Sequence, residues 1–320
     1  MQNQNRLFDL IRSVSPSHMN LANEISELLE ISLTAAYDRM RCSVPLKFEE
    51  ACLLCRRYGI SLDTAAVHET DTVSFRYMPL AAEGPERYLR YMKGLEAAME
   101  RLSKGESKEL KFAADDIPIF HFMPYAELTY FKLYAWNRTM NDVKGSYEWF
   151  VHSADRPELR EIFRRIASAY LQVPTIEIWT EETLDPVLQL MAHYRDLGDF
   201  TNTDTLAKLC GQLLDLIGRM EKWAAVSAKG DDRGVPYHLY LSPVNLGNSI
   251  MLTQCDGVES VRMKLYTINS IATCDSRLCG ETGKWLVQTI SKSTHLSGSS
   301  EVQRTVFFNS MKQKVTDLTA

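Results

Sequence analysis

Residues 21–63, LANEISELLEISLTAAYDRMRCSVPLKFEEACLLCRRYGISLD, predict a compact bundle of short helices. Apolar residues recur at helical spacing from Leu21 to Leu29, which indicates a first helix. Ser32 is a residue type that caps helix N-termini, and it opens a second helix over 33–41. A third amphipathic helix follows Pro45 and closes the core.

The second helix has two different sides. Ala36 and Met40 lie four residues apart and face inward in this prediction. The polar residues at i, i+3, i+4 and i+7 share the opposite side, and they are Thr34, Tyr37, Asp38 and Arg41. A helix, a tight corner and a second helix with a small inner face and a polar outer face are typical of a helix-turn-helix.

Several short motifs in this stretch also resemble a known family. They are Ile31-Ser32 at a helix start, Ala36-Tyr37 followed by Arg39 and Arg41, Pro45-Leu46, and the closing run from Gly59 to Asp63. Together they are similar to the phage-repressor-like (XRE-type) helix-turn-helix transcription regulators, especially the kind found in Bacteroidetes. The resemblance covers about the first fifth of the chain.

This resemblance implies a homodimer that binds double-stranded DNA in a sequence-specific way. The candidate DNA-binding residues are Ser32, Thr34, Tyr37, Asp38, Arg39, Arg41 and Lys47. Two positions depart from the family pattern, since Glu30 and Cys42 stand where glycine is common. We therefore expect the corner and the end of the second helix to form without the free access to positive φ that glycine gives.

The charge of the N-terminal stretch leaves an alternative open. Residues 1–66 contain seven Lys/Arg and eight Asp/Glu, so the net charge is −1. This is not the basic footprint that drives non-specific DNA binding. The bases from Arg39 to Arg57 follow the second helix, which favours DNA binding through two copies of the chain. A helical module without a nucleic-acid role fits the neutral charge equally well.

The length, composition and net charge are ordinary for a globular protein. It has 320 residues, of which 24% are charged and 45% hydrophobic, with a net charge of −5. Two or three domains are expected at this length. No signal-peptide pattern and no membrane-length apolar run is visible, and the seven cysteines are an odd number typical of reduced thiols. These features predict a cytoplasmic protein that does not enter a membrane.

We divide the chain into a DNA-binding domain at 1–66, a linker at 67–107 and a regulatory or sensor domain at 108–320. The linker contains an a/d-like stripe of Tyr88, Met92, Leu95, Met99 and Leu102. This stripe predicts a dimerisation helix. Packing of the same stripe onto its own domain is an equally good interpretation.

The fold class that follows is mainly α with a C-terminal α+β part. Strand patterns at 237–244, 249–254 and 258–273 are separated by Asn/Gly and Asp-Gly turns, and helices flank them. They predict an antiparallel sheet with helices on one face. Between sheet and helices we expect a site for a small-molecule effector, walled by the aromatic-rich segment 120–136 with polar groups such as Asn269.

No set of residues in the sequence has the pattern of a catalytic or cofactor-binding site. Cys52 and Cys55 lack a second ligand pair, and Cys274 and Cys279 show no sign of activation. The run GETGKW at 280–285 lacks the spacing of a phosphate loop, and the seven histidines are dispersed. The sequence thus predicts a sensor without cofactor, and not an enzyme. The alternatives are a protein–protein interaction module and an enzyme with an unrecognised site in the C-terminal part.

Overall fold

The N-terminal part of the chain is a bundle of five helices, which we call the head. The computed structural model describes residues 2–15, 19–65, 72–77, 86–141, 145–230, 234–265 and 268–319. Phe8, Ile11, Ile25, Ala36 and Leu54 are fully buried at the centre of the head. Its helices are α1 (Gln2–Val14), α2 (Leu21–Leu28), α3 (Leu33–Met40), α4 (Phe48–Tyr58) and α5 (Leu62–Ala65).

The cap of α3 is confirmed, because the Ser32 hydroxyl accepts a hydrogen bond from the Ala35 amide at 3.2 Å. The expectation about its two flanking positions is wrong. Glu30 has φ 53° and Cys42 has φ 58°, so both adopt the left-handed conformation that glycine would occupy freely. The corner between α2 and α3 and the end of α3 thus keep glycine-like geometry without glycine.

The larger part of the chain, which we call the body, is built on one mixed sheet of nine strands among the described residues. Their order is β1-β8-β7-β6-β2-β3-β5-β4, and β9 also pairs with β5. The strands are β1 (Arg76–Tyr77), β2 (Lys108–Ala113), β3 (Thr175–Trp179), β4 (Ala228–Lys229), β5 (Val235–Leu241), β6 (Ile250–Cys255), β7 (Val258–Lys264), β8 (Ser270–Thr273) and β9 (Thr294–His295).

The predicted α+β class is therefore confirmed, but the prediction of a purely antiparallel sheet is wrong. β3 lies between β2 and β5 and is parallel to both. The meander β6–β7–β8 is antiparallel, as its turns predicted. The parallel centre joins strands that are far apart in sequence, and long crossovers of this kind leave no turn signal.

Helices cover both faces of the sheet, where the sequence predicted one. α13 packs over Ala113, Ile178 and Val261 on one face. The main core fills the other face, with Leu110, Trp179 and Leu239 beneath the remaining helices. The helices of the body are α6 (Glu86–Lys104), α7 (Ile119–Phe122), α8 (Ala126–Asn141), α9 (Tyr147–Ala154), α10 (Pro157–Tyr170), α11 (Asp185–Asp196), α12 (Thr205–Val226), α13 (Ser276–Ser291) and α14 (Glu301–Thr319).

The apolar stripe of α6 lies inside the body. Tyr88, Met92, Met99 and Leu102 are buried in the main core, and α6 packs lengthwise on α10. Packing on its own domain is thus the interpretation that the structure supports. The stripe is not free to form a dimer seam, and α6 is a core helix of the body rather than part of a linker.

The head touches the body at the end of β8. The Arg6 guanidinium donates to the Cys274 carbonyl at 3.4 Å and to the Ser276 hydroxyl at 3.4 Å. The domain boundary predicted near residue 66 lies outside the described residues. No helix in the described ranges combines the length and the apolarity that crossing a bilayer requires.

Candidate functional site

Four of the seven predicted DNA-binding residues lie on the outer side of α3 or next to it. Thr34, Tyr37 and Arg41 are exposed, and so is Lys47 just before α4. The guanidinium carbon of Arg41 lies 5.6 Å from the centroid of the Tyr37 ring, a cation–π distance. This contact restricts two long side chains without consuming the hydrogen-bond donors of the guanidinium.

Asp38 faces the turn that follows α3. Its carboxylate accepts from the Ser43 hydroxyl at 3.4 Å, and its carbonyl accepts from the Ser43 amide at 3.0 Å. These bonds hold the backbone past the left-handed Cys42. Asp38 and Ser32 therefore shape the two ends of α3.

Arg39 is placed differently from the other predicted residues. Its Nε and Nη2 atoms each donate to Glu50 at 2.8 Å, and both side chains are largely buried. The hydrogen bond that Arg39 donates to Glu50 raises the pKa of Arg39, and the same bond lowers the pKa of Glu50. The pair is bidentate and joins α3 to α4, so Arg39 fixes the angle between these helices.

Apolar side chains are also exposed beside this surface. Phe48, the first residue of α4, is 72% exposed, and Leu33 at the start of α3 is 43% exposed. The apolar run of the third helix, which begins at Phe48, was predicted to close the core of the head, and the exposure of Phe48 shows that this prediction is wrong for its first residue. Large exposed apolar groups beside polar ones are typical of contact surfaces.

A second site lies in the body, in a pocket between α6, the α7 region and the sheet. Its volume is about 90 Å³. Apolar and aromatic groups form most of its wall, including Tyr91, Leu95, Phe112, Ile117, Phe120 and Met251. We call it the Asn269 pocket. The predicted wall is confirmed in part, since Phe120 and Asn269 line it but Tyr130, Phe131, Tyr134 and Trp136 belong to the core.

Asn269 is only 2% exposed, and neither its Nδ2 nor its Oδ1 atom has a hydrogen-bond partner among the described residues. Nearby, the Lys132 ammonium donates to Asp116 at 2.7 Å, and Lys264 lies 3.7 Å from the same carboxylate and 3.2 Å from Asp115. The two lysines are thus balanced by two aspartates. The buried polar atoms of this pocket that lack a partner among the described residues are both ends of the Asn269 amide and Oδ1 of Asp116. Such atoms are uncommon in folded proteins.

Arg262 lines both this pocket and a cleft of about 1190 Å³ between the head and the body. Its guanidinium donates to the Ser270 hydroxyl at 3.0 Å, and no carboxylate pairs with it in the described ranges. Burial lowers the pKa of Arg262, and the charge of Arg76 lowers it further. Burial likewise lowers the pKa of Arg101, as do Arg76 and Arg262. Three arginines therefore concentrate positive charge on this side of the sheet.

A third polar group, the Glu177 cluster, consists of Glu177 on β3 and its four hydrogen-bond donors. The donors are His121 Nε2 at 2.9 Å, the Tyr170 hydroxyl at 2.6 Å, Trp179 Nε1 at 2.9 Å and the Tyr237 hydroxyl at 3.1 Å. All five side chains are buried. Burial acts to raise the pKa of Glu177, but His121 and Tyr170 lower it below its ordinary value. Sequence reasoning missed this cluster, since its members come from four separate elements.

Lys229 lies beside the Glu177 cluster. Its ammonium donates to the Tyr170 carbonyl at 2.6 Å and to the Thr175 hydroxyl at 2.8 Å. Burial lowers the pKa of Lys229 to about 7, although Glu177 acts to raise it. No residue of this cluster lines the Asn269 pocket or the cleft between head and body. The groups of the cluster bind one another.

The cysteines are the next group of candidate site residues. All seven cysteines are free, and burial raises the pKa of Cys55 and raises that of Cys279 to about 12. High thiol pKa values are typical of unreactive cysteines. Within the described ranges, no group of three or more potential metal ligands comes together.

Comparison with known proteins gave no match to a family model, to a curated protein or to a solved structure.

Proposed function

We propose that this chain is a sequence-specific DNA-binding transcription regulator with α2 and α3 as its helix-turn-helix. The observation that carries the proposal is the division of α3 into two sides. Ala36 is fully buried against the head core, whereas Thr34, Tyr37 and Arg41 are exposed on the outside. An exposed polar helix held rigidly by its neighbours is what enters the DNA major groove in this class of protein.

The contacts suggest a role for each predicted residue. Arg41 and Tyr37 approach base edges, and the fork of Arg41 suits the two acceptors of guanine. Thr34 and Lys47 contact phosphates. Arg39, which is paired with Glu50, acts through the position of α3 instead of touching DNA. Ser32 and Asp38 likewise support the ends of the helix.

The neutral charge of the head favours two copies acting together. A weak monomer gains affinity when a homodimer places two α3 helices about 34–36 Å apart on successive major grooves. Because the α6 stripe is buried, the dimer interface in this proposal lies on another surface. The proposed setting is the cytoplasm.

The body supplies the regulatory part of the proposal. The Asn269 pocket opens beside Ser270 at the start of β8, and Cys274 at the other end of β8 contacts Arg6 of the head. A small-molecule effector in the pocket regulates DNA binding only if it prefers one arrangement of head and body over another. β8 therefore runs from the wall of the pocket to the point where the head contacts the body.

Selection of duplexes from a random DNA pool by the full chain tests this proposal. We expect an enriched sequence, and Arg41→Ala should lose about 1–3 kcal/mol at one base position and relax specificity there. Lys47→Ala should weaken binding to all sequences and flatten the salt dependence. Arg12→Ala on α1 is the control, because Arg12 lines the cleft and pairs with Asp9. The affinity of this variant for DNA should equal that of the wild type. The absence of any enriched sequence would refute DNA recognition.

A second candidate function, docking of a protein partner on the head, is favoured by the exposure of Phe48 and Leu33. Phe48→Ser distinguishes the two. If the head binds DNA through α3, this change should reduce affinity much less than Arg41→Ala. If the surface binds a protein, Phe48→Ser should have the larger effect, since buried aromatic groups dominate protein interfaces.

A further inference from the structure

The Asn269 pocket contains a hydrogen-bonding group for which the described residues provide no partner. Asn269 lines the pocket, and its amide nitrogen and carbonyl oxygen are both buried and without a partner among the described residues. Its backbone is not free to turn away, because the Asn269 carbonyl accepts from the Leu265 amide at 2.8 Å. A buried polar group left unpaired costs free energy, so a molecule that pairs both ends gains that free energy on binding.

The charge in the pocket has a definite sign. Asp116 is the lining carboxylate, and it is engaged by Lys132 and Lys264. Arg262 has no such partner among the described residues, and the groups that interact with it are Ser270, Tyr91, Cys274 and the cationic Arg76 and Arg101. An anion placed against Arg262 compensates a charge that the fold leaves uncompensated.

The position of Arg262 is set by the register of the sheet. On β7 it pairs with Ala272 of β8, and Arg76 of β1 pairs with the same Ala272 from the other side. Both arginines therefore stand on one face of the sheet, where they reinforce the same positive field. Their spacing depends on strand pairing, so it is retained without a ligand.

The remaining wall and the size limit the ligand. Tyr91, Phe112, Phe120 and Met251 are apolar or aromatic, and a flat apolar body suits them. A volume of about 90 Å³ limits the ligand to a small molecule, of the size of one ring with its charged group.

We infer that the Asn269 pocket binds a small organic anion with a flat apolar body, whose charged group lies on Arg262 and whose neighbouring donor and acceptor pair with Asn269. This inference deepens the proposed regulator by naming the chemical class of its effector. The charged group is a carboxylate or a phosphate ester, and both suit a guanidinium fork. Binding itself requires no DNA.

Isothermal titration of the full chain without DNA tests the inference with four probes. Salicylate presents a carboxylate beside a hydroxyl on a flat ring, and phenyl phosphate and inorganic phosphate represent the phosphate source. Salicylamide is the neutral counterpart of salicylate. We expect at least one organic anion to bind at one site per chain with a Kd on the order of 1 mM, as befits so small a ligand. Salicylamide should bind at least tenfold more weakly than salicylate.

Substitutions of Arg262 and Asn269 locate the site, and substitution of an exposed arginine is the control. Arg262→Met should weaken the binding of that anion at least tenfold, and Arg262→Gln replaces it if the methionine variant does not fold. Asn269→Leu should also weaken binding while raising the thermal midpoint of the ligand-free protein. Arg164→Met, which removes an exposed arginine that pairs with Glu161 on α10, should leave binding unchanged.

The inference is overturned if no organic anion binds the wild-type chain, if salicylamide binds as well as salicylate, or if the Arg262 variants bind like the wild type. Binding of inorganic phosphate alone would also overturn it, since the apolar wall would then contribute nothing. None of these outcomes bears on whether α3 binds DNA. Conversely, a failed DNA selection leaves the titration valid.

Discussion

Two polar sites of this protein lie on the same face of the same sheet and are built in opposite ways. A continuous row of paired residues crosses the sheet through Arg76, Ala272, Arg262, Met251, Phe112 and Glu177. At Glu177 the carboxylate receives hydrogen bonds from four buried donors. At Arg262 the guanidinium has a single hydroxyl acceptor and lies in a pocket beside the unpaired amide of Asn269.

The two sites show how a structural polar cluster differs from a binding site in the pairing of its buried groups. Burying a polar group is tolerable when hydrogen bonds replace those lost to water. The Glu177 carboxylate meets this condition through its four donors, and Nδ1 of His121 is the one ring nitrogen of the cluster without a partner among the described residues. The cluster therefore stabilises the fold. The Asn269 pocket does not meet it internally, which is the property expected of a site that a ligand completes.

The largest effect should come from breaking the Glu177 cluster. Glu177→Ala leaves four buried donors without their acceptor and should lower the free energy of unfolding by about 3–5 kcal/mol. Denaturant unfolding measures this change. Glu182→Ala is the control at an exposed carboxylate nearby, with an expected change within about 0.5 kcal/mol. Equal effects of the two substitutions would show that the cluster is not structural.

A smaller effect should appear as a pH dependence from Lys229. Because the pKa of Lys229 is about 7 in the folded state and 10.5 ordinarily, the unfolded chain binds this proton first as the pH falls. Its contribution to stability is thus fully present above pH 10.5, is lost as the pH falls toward 7, and is gone below that. The slope is at most about 1.4 kcal/mol per pH unit.

Lys229→Met should remove this slope, whatever its effect on the absolute stability. The free energy of unfolding is measured from pH 6 to 9 for the wild type, for Lys229→Met and for Lys222→Met. Lys222 is an exposed residue of α12, and its removal should leave the slope unchanged. Parallel curves for the wild type and Lys229→Met would mean that Lys229 is not neutralised by burial.

Asn269→Leu should act in the opposite direction to Glu177→Ala. Leucine has nearly the shape of asparagine, and it removes two unpaired buried polar atoms, so the ligand-free protein should gain about 1 kcal/mol. Chemical denaturation without added anions gives the value. Thr129→Val is the matched control, because the Thr129 hydroxyl donates to the Phe122 carbonyl at 2.8 Å and its loss should destabilise. If Asn269→Leu destabilised the protein as Thr129→Val does, Asn269 would be a paired structural group.

The smallest effect should come from the backbone of the head. Glu30 adopts φ 53°, which a residue with a Cβ atom favours less than glycine does. Glu30→Gly should therefore gain about 0.5 kcal/mol, after the entropy that glycine adds to the unfolded chain. Glu27→Gly inside α2 should instead lose about 1 kcal/mol. Thermal unfolding distinguishes the two signs, and a loss in both variants would contradict the left-handed corner.

Local signals predicted the parts of the fold that depend on neighbours in sequence. The Ser32 cap, the apolar spacing of α2 and the Asp256-Gly257 turn between β6 and β7 were all readable. The stripe on α6 was readable too, but a periodic pattern does not say which surface covers it. Its partner, α10, lies more than fifty residues further along the chain.

Long-range pairing explains most of what the sequence did not reveal. β3 is five residues long, and its central Glu177 is fully buried, so its pattern TIEIW did not indicate a central strand. The candidate pocket was half predictable, since Phe120 and Asn269 were named from sequence. Arg262 was not named as a pocket residue from the sequence. Its position beside Arg76 and at the Asn269 pocket is set by the strand register, which the sequence did not show.

Amide hydrogen exchange of the full chain, alone and with a duplex selected from the random pool, tests the central claim most directly. If α3 binds DNA, exchange should slow in residues 32–41 and around Lys47 when DNA is added, and exchange should be unchanged in α13 on the far face of the sheet. Unchanged exchange in α3 with any selected duplex, or protection confined to the body, would contradict the assignment of α3 as the DNA-binding helix.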